Sequence, residues 1–166
     1  MKRIIRTVIL TISLLALFAG CAAEVAPEVE LAEFNSDYGY SVMYPADLTP
    51  TSLSSNIDFV VMDEKTATTV SIEILEKLDS FSSLTEDDFV DEFIKEDLDI
   101  KIFSFEHTTI NGMDAIIAKY PYKESEVTNI VYNAPDHLYH ASYTELPGTS
   151  GKVREEFGAI IYSLEA

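Results

Sequence analysis

The sequence predicts an α+β domain in which an antiparallel β-sheet is packed by two helices. Residues 68–75 alternate, with Val70, Ile72 and Ile74 set against Thr69, Ser71 and Glu73. That period of two belongs to a strand with one face buried and the other wet. Asn111-Gly112 separates two further strand-like runs, and this dipeptide tolerates the positive φ angles of a tight hairpin. Two apolar sets recur at helical spacing: Phe89, Val90, Phe93, Ile94 and Leu98, then Val153, Phe157, Ile160, Ile161 and Leu164. Each covers one side of a helix and needs a sheet to pack on.

The elements follow in order. Residues 40–44 alternate and stop at Pro45, which has no N–H for a ladder. Residues 47–56 hold Pro50 and a Ser/Thr cluster and read as a loop. Strands are expected over residues 58–62 and 68–75. Thr85 then opens a helix: its hydroxyl can cap, and Glu86, Asp87 and Asp88 favour the positive N-terminal end. The strands at residues 101–109 and 113–122 pair across Asn111-Gly112. Those at 127–133 and 138–144 pair about Ala134-Pro135-Asp136, and Pro147-Gly148 closes them. The last helix is expected over residues 151–164.

A length of 166 residues allows one domain. With 47% hydrophobic residues, 9 Tyr and 9 Phe, the chain can fill a packed core and does not read as disordered. Its charge is strongly acidic: 29 acidic against 11 basic residues give a formal −18. Nucleic acid is therefore not an expected partner, since it is held by Lys and Arg that displace counterions from phosphates. Direct adhesion to anionic headgroups meets the same repulsion.

The N-terminus carries an address. Lys2, Arg3 and Arg6 precede an uncharged run over residues 7–23, the layout of a signal peptide. The run meets small residues and a cysteine before it reaches the about 20 apolar residues that a membrane span needs. Leu17-Phe18-Ala19-Gly20-Cys21 resembles the lipobox of bacterial lipoproteins, with Phe18 where that pattern prefers Leu. The resemblance implies a signal peptide over residues 1–20, cleavage before Cys21, and lipid on the cysteine. Cys21 is the single cysteine of the chain, so it has no internal disulfide partner. Two or three acyl chains would anchor the protein to a membrane, on its extracytoplasmic face, without a spanning helix. Cleavage also removes three basic residues and takes the formal charge to −21. Residues 21–33, acidic and interrupted by Pro27, read as a tether to a domain over residues 34–166.

Four segments carry a second resemblance. Tyr38-Gly-Tyr-Ser-Val-Met-Tyr-Pro45 is similar to the opening strand of PsbP-like domains, a group that includes the extrinsic photosystem II protein and many bacterial lipoproteins. The segment from Thr85 to Phe93 resembles their mid-chain helix, and Ile110-Asn-Gly-Met-Asp-Ala115 their hairpin. Phe157-Gly-Ala-Ile-Ile-Tyr-Ser163 resembles their closing helix, ending here in Ser-Leu. The likeness spans nearly all of residues 34–166. It implies an antiparallel α+β fold and a non-enzymatic accessory role. The matching residues are turn and core positions, so no site comes with them.

His137 and His140 lie three apart about a strand, so their side chains point to opposite faces and cannot share a metal there; His107 stands alone. No HExxH pattern or second cysteine completes a zinc site. No Gly-x-Ser-x-Gly elbow is present. Gly148-Thr-Ser-Gly-Lys152 lacks the first glycine of a phosphate loop and the hydroxyl after lysine, and reads as a helix start. Asp87, Asp88, Asp91, Glu92, Glu96 and Asp97 are interrupted by apolar residues at helical spacing, as a solvated helix face would be. Tyr38, Tyr40, Tyr44, Tyr120, Tyr122, Tyr132, Tyr139 and Tyr143 could line a ligand groove or pack in half-buried strands. The expectation is a membrane-anchored binding or assembly module for a protein or small ligand, with no catalytic, cofactor or metal residues. The alternative is an extracytoplasmic hydrolase whose site assembles in space.

Overall fold

Alternating apolar side chains build most of the architecture. The structure, a computed structural model, describes residues 29–94 and 100–166. β1 (Leu31–Asn35) and β2 (Ser41–Pro45) form a two-stranded ribbon. A six-stranded antiparallel sheet follows, made of β3 (Ile57–Met62), β4 (Thr69–Leu75), β5 (Ser104–Ile110), β6 (Met113–Tyr122), β7 (Ser125–Asn133) and β8 (Leu138–Glu145). Its order is β3-β4-β8-β7-β6-β5. The helices are α1 (Glu86–Phe89), which continues as a wider π-helical turn over Val90–Ile94, and α2 (Gly151–Tyr162). This is the expected α+β arrangement.

β1 corrects the boundary at residue 34. Leu31–Asn35 is already a strand, so the expected tether overlaps the fold by three residues. Phe34 explains why: its ring packs 5.1 Å from that of Phe59, and pairing with β2 satisfies the flanking backbone. The chain's end is tied in as well. Ser41 N–H donates to the Glu165 carbonyl at 2.8 Å, and Glu165 N–H returns a bond at 3.0 Å.

Both hairpins expected from the sequence form. Asn111 and Gly112 have φ of 50° and 81°, as the tight turn between β5 and β6 requires. β5 begins at Ser104, three residues later than its apolar pattern suggests. A third tight turn joins β6 to β7 through Lys123, whose φ is 56°. It carries neither Gly nor Asn, so composition gave no warning of it.

Each face of the sheet has its own core. On the first, Phe59, Val61, Val70, Ile72, Ile130, Tyr132 and Ala141 meet Phe157, Ile160, Ile161 and Leu164 from α2 and the residue beyond it. On the second, Ile116, Ala118, Val131 and Leu138 meet Phe81, Leu84, Phe89 and Phe93. The face of β4 expected to be wet is thus part of a covered layer, with Thr69, Ser71 and Glu73 half-buried. The helix that Thr85 opens packs on this side of the sheet, over β6, β7 and β8. The Thr85 hydroxyl accepts from Asp88 N–H, and the Asp88 carboxylate accepts from Thr85 N–H at 2.9 Å, a reciprocal cap. Phe89 and Phe93 then stack with ring centroids 4.9 Å apart. The expected helix was regular through Leu98; instead the turn widens at Val90, and Leu98 lies outside the described residues.

Candidate functional site

Strand pairing places Asn129 of β7 opposite Ser142 of β8, and His140 of β8 opposite Val131 of β7 and Glu73 of β4. Paired residues in antiparallel strands share a face. Tyr120 of β6 joins them, because the Asn129 side-chain amide donates to its hydroxyl at 3.0 Å. These residues form a polar stripe beside the apolar cluster under α1. A cavity of about 190 Å³ opens over them, lined by Phe93, Ile94 and Ile100 above and by Tyr120, Tyr122, Val127, Asn129, His140, Ser142 and Thr144 below. It adjoins the π-helical turn, a distortion that recurs at functional sites.

Two buried atoms in this cavity have no hydrogen-bond partner among the described residues: Asn129 Oδ1 and His140 Nε2. Asn129 is 2% exposed and His140 8%. Leaving such groups unpaired costs about 1–3 kcal/mol each, and most buried polar atoms in folded proteins are satisfied by protein or water. On the other side of the imidazole Nδ1 lies 3.8 Å from Glu73 Oε2, while Glu73 Oε1 accepts from the Asn56 amide at 2.8 Å. The ring packs against Phe93 with centroids 5.8 Å apart.

The other histidines do other things. His107 Nε2 sits 2.9 Å from the Leu84 carbonyl, and its ring packs on Phe105. His137, just before β8, packs against Tyr38 and Tyr139, while His140 packs on Phe93. The tyrosines divide between the faces instead of lining one groove. Tyr120 and Tyr122 reach the cavity, while Tyr40, Tyr132, Tyr139 and Tyr143 are buried in the first core. Burial raises the hydroxyl pKa of all four, and the Asp58 carboxylate beside Tyr40 and Glu145 beside Tyr143 raise theirs further.

The glycine-lysine segment at residues 148–152 is a helix start, with Ser150 Oγ accepting from Val153 N–H at 3.3 Å. Among the described acidic residues, Asp88 is engaged in the cap of α1, and the Thr85 hydroxyl holds its carboxyl below the usual range. Glu96, Asp97 and Cys21 lie outside the described residues. Sequence reasoning missed Asn129, Ser142, Thr144 and Glu73. The one available signal was Asn129 itself, a lone amide inside the apolar run Val127-Thr-Asn-Ile-Val-Tyr132.

No protein-family model matches the sequence, and no curated protein matches it. Solved structures do. The solution structure of cyanobacterial PsbP (CyanoP) from Synechocystis sp. PCC 6803 aligns with a TM-score of 0.59 at 16% identity, over 89% of this chain and 98% of that one. A crystal structure from Bacteroides thetaiotaomicron VPI-5482 aligns with a TM-score of 0.50 at 18% identity, over 81% of this chain and 47% of the other. The chain thus carries a PsbP-like fold, an antiparallel α+β domain with two packed helices. At these identities the likeness is one of architecture.

Proposed function

We propose that this protein is a lipid-anchored extracytoplasmic module that binds without catalysing, held to a membrane by lipid on Cys21 and taking its ligand or partner on the second face of the sheet. The basic start, the uncharged run and Ala19-Gly20-Cys21 support the anchor. Among the described residues, no helix is long and apolar enough to cross a membrane. The observation that carries the binding role is the pair of unpartnered atoms, Asn129 Oδ1 and His140 Nε2, facing one cavity. Covalent cross-linking on intact cells, through a photoreactive residue in place of Tyr122 at the cavity wall, tests it. A discrete adduct that Asn129→Leu removes supports the reading; labelling unchanged by that variant counts against it.

A hydrolase is the second reading, and one arrangement favours it: Glu73, His140 and Ser142 lie on neighbouring positions of one face. The order resembles acid, base and nucleophile. The contact that would activate the nucleophile is missing, because His140 Nε2 has no hydrogen bond to the Ser142 hydroxyl. Assaying small activated esters separates the readings. Turnover that Ser142→Ala abolishes establishes the hydrolase, and turnover indifferent to that change leaves binding.

A further inference from the structure

We propose that the sheet-face cavity takes a flat, ring-sized group bearing N–H donors, uncharged or cationic, of the aromatic carboxamide or amidine class, and that it rejects carboxylates. The inference rests on reading this cavity as the binding site and concerns what fits there. Size sets the first limit. About 190 Å³ is little more than the roughly 150 Å³ cavity that holds one benzene, and it falls below the about 300–1,000 Å³ of sites for larger ligands. One ring with a small substituent fills it.

The walls set the second limit. Phe93, Tyr120 and Tyr122 supply aromatic surface, and Ile94, Ile100 and Val127 supply aliphatic surface, so a flat apolar body is desolvated against matching partners. The polar floor then selects the substituent. Asn129 Oδ1 can only accept a hydrogen bond, while the amide's nitrogen is already engaged with the Tyr120 hydroxyl. Glu73 lies on the Nδ1 side of His140. A buried acceptor on that floor calls for a group that brings an N–H donor. A carboxylate would bring only lone pairs to that acceptor and would meet the Glu73 charge. The formal charge of −18 opposes anions and favours cations at longer range.

The test uses the full-length protein in detergent and three probes of nearly one shape: benzamide, benzamidine and benzoate. The His140 and Tyr120 ring resonances are followed by NMR during titration. Benzamide and benzamidine should shift both along saturating curves, while benzoate at the same concentrations leaves them in place. Asn129→Leu should weaken benzamide about tenfold, the loss of one well-placed hydrogen bond. Benzoate binding as tightly as benzamide overturns the donor rule while leaving the cavity a site. Silence from all three probes overturns the proposal, while the binding reading stands or falls on the cross-linking through position 122. The wild-type comparison decides between these outcomes even if Asn129→Leu fails to fold. Unchanged benzamide affinity in a folded Asn129→Leu overturns the role given to that acceptor.

Discussion

The side-chain amide of Asn111, at the tip of the β5–β6 hairpin, donates to the backbone carbonyl of Leu164 at 2.9 Å, and to that of Tyr162 at 3.0 Å. One residue therefore sets the tight turn and ties it to the end of α2, whose last carbonyls otherwise lack partners within the helix. Asn111→Gly keeps the positive φ and loses the two bonds, so it should cost about 1–3 kcal/mol. Asn111→Ala should cost about 1 kcal/mol more, because alanine adopts that φ at a penalty. Urea denaturation of both variants measures the difference; wild-type stability in Asn111→Gly would show that the bonds to α2 contribute nothing.

Phe157 anchors α2 in the first core and Phe93 anchors the helical turn on the second, at 2% and 9% exposure. Each changed to Ala should lose about 3–5 kcal/mol, with Phe93 at the lower end because the cavity already borders it. Exposed Glu155→Ala should change stability by less than about 0.5 kcal/mol. Equal melting temperatures for Phe157→Ala and wild type would disprove the packing of α2.

Stability should hold through neutral pH and fail at both extremes. The Arg154 guanidinium, bonded to both Glu145 oxygens at 2.9 Å, holds that carboxyl below its usual range, and Thr66 does the same for Asp63 through its hydroxyl and backbone N–H. A depressed carboxyl stabilises the fold above its unfolded pKa, about 4, and that contribution disappears as pH falls through the folded value. The raised tyrosines act at the other end. Their contribution is complete below the unfolded pKa of about 10 and is lost as pH climbs beyond it, since only the unfolded chain ionises readily there. Following tyrosinate absorbance against pH should show Tyr40, Tyr132 and Tyr143 ionising together with unfolding. Free titration of all nine tyrosines near pH 10 in a folded protein would contradict their burial.

Cys21 should be the acylated first residue of the mature protein. Cells fed a labelled fatty acid should yield labelled protein in the membrane fraction, and Cys21→Ala should lose label and membrane association together. Label retained by Cys21→Ala places the anchor elsewhere.

The acidic face of the helix opened by Thr85 should not hold calcium selectively. Such a site gathers about six to eight oxygens within about 2.3–2.6 Å, whereas Glu86, Asp87, Asp91 and Glu92 are exposed along a helical surface and Asp88 caps it. Calorimetry at about 0.15 M salt should show only weak, screened attraction. A stoichiometric site tighter than roughly 10 µM, lost in Asp87→Asn with Asp91→Asn, would replace this picture with a calcium-dependent one.

By itself the sequence determined whatever rests on neighbours along the chain. Val70, Ile72 and Ile74 declared a strand by alternation, Asn111-Gly112 a turn by its tolerance of positive φ, and Thr85, followed by three acids, a helix start. Phe89 and Phe93 of the first apolar stripe, and Phe157, Ile160, Ile161 and Leu164 of the second, declared buried helix faces. Tertiary structure decided what depends on strands meeting from distant parts of the chain. Glu73, Asn129 and His140 share a site only because β4 and β7 flank β8, and no local spacing encodes that order. The widened turn at Val90–Ile94, whose Phe93 packs on His140, and the early entry at Leu31, where Phe34 packs on Phe59, likewise belong to the assembled fold. Asn129 shows the division most directly: the sequence places an amide in an apolar strand, and only the assembled sheet leaves its oxygen buried beside a cavity without a partner among the described residues.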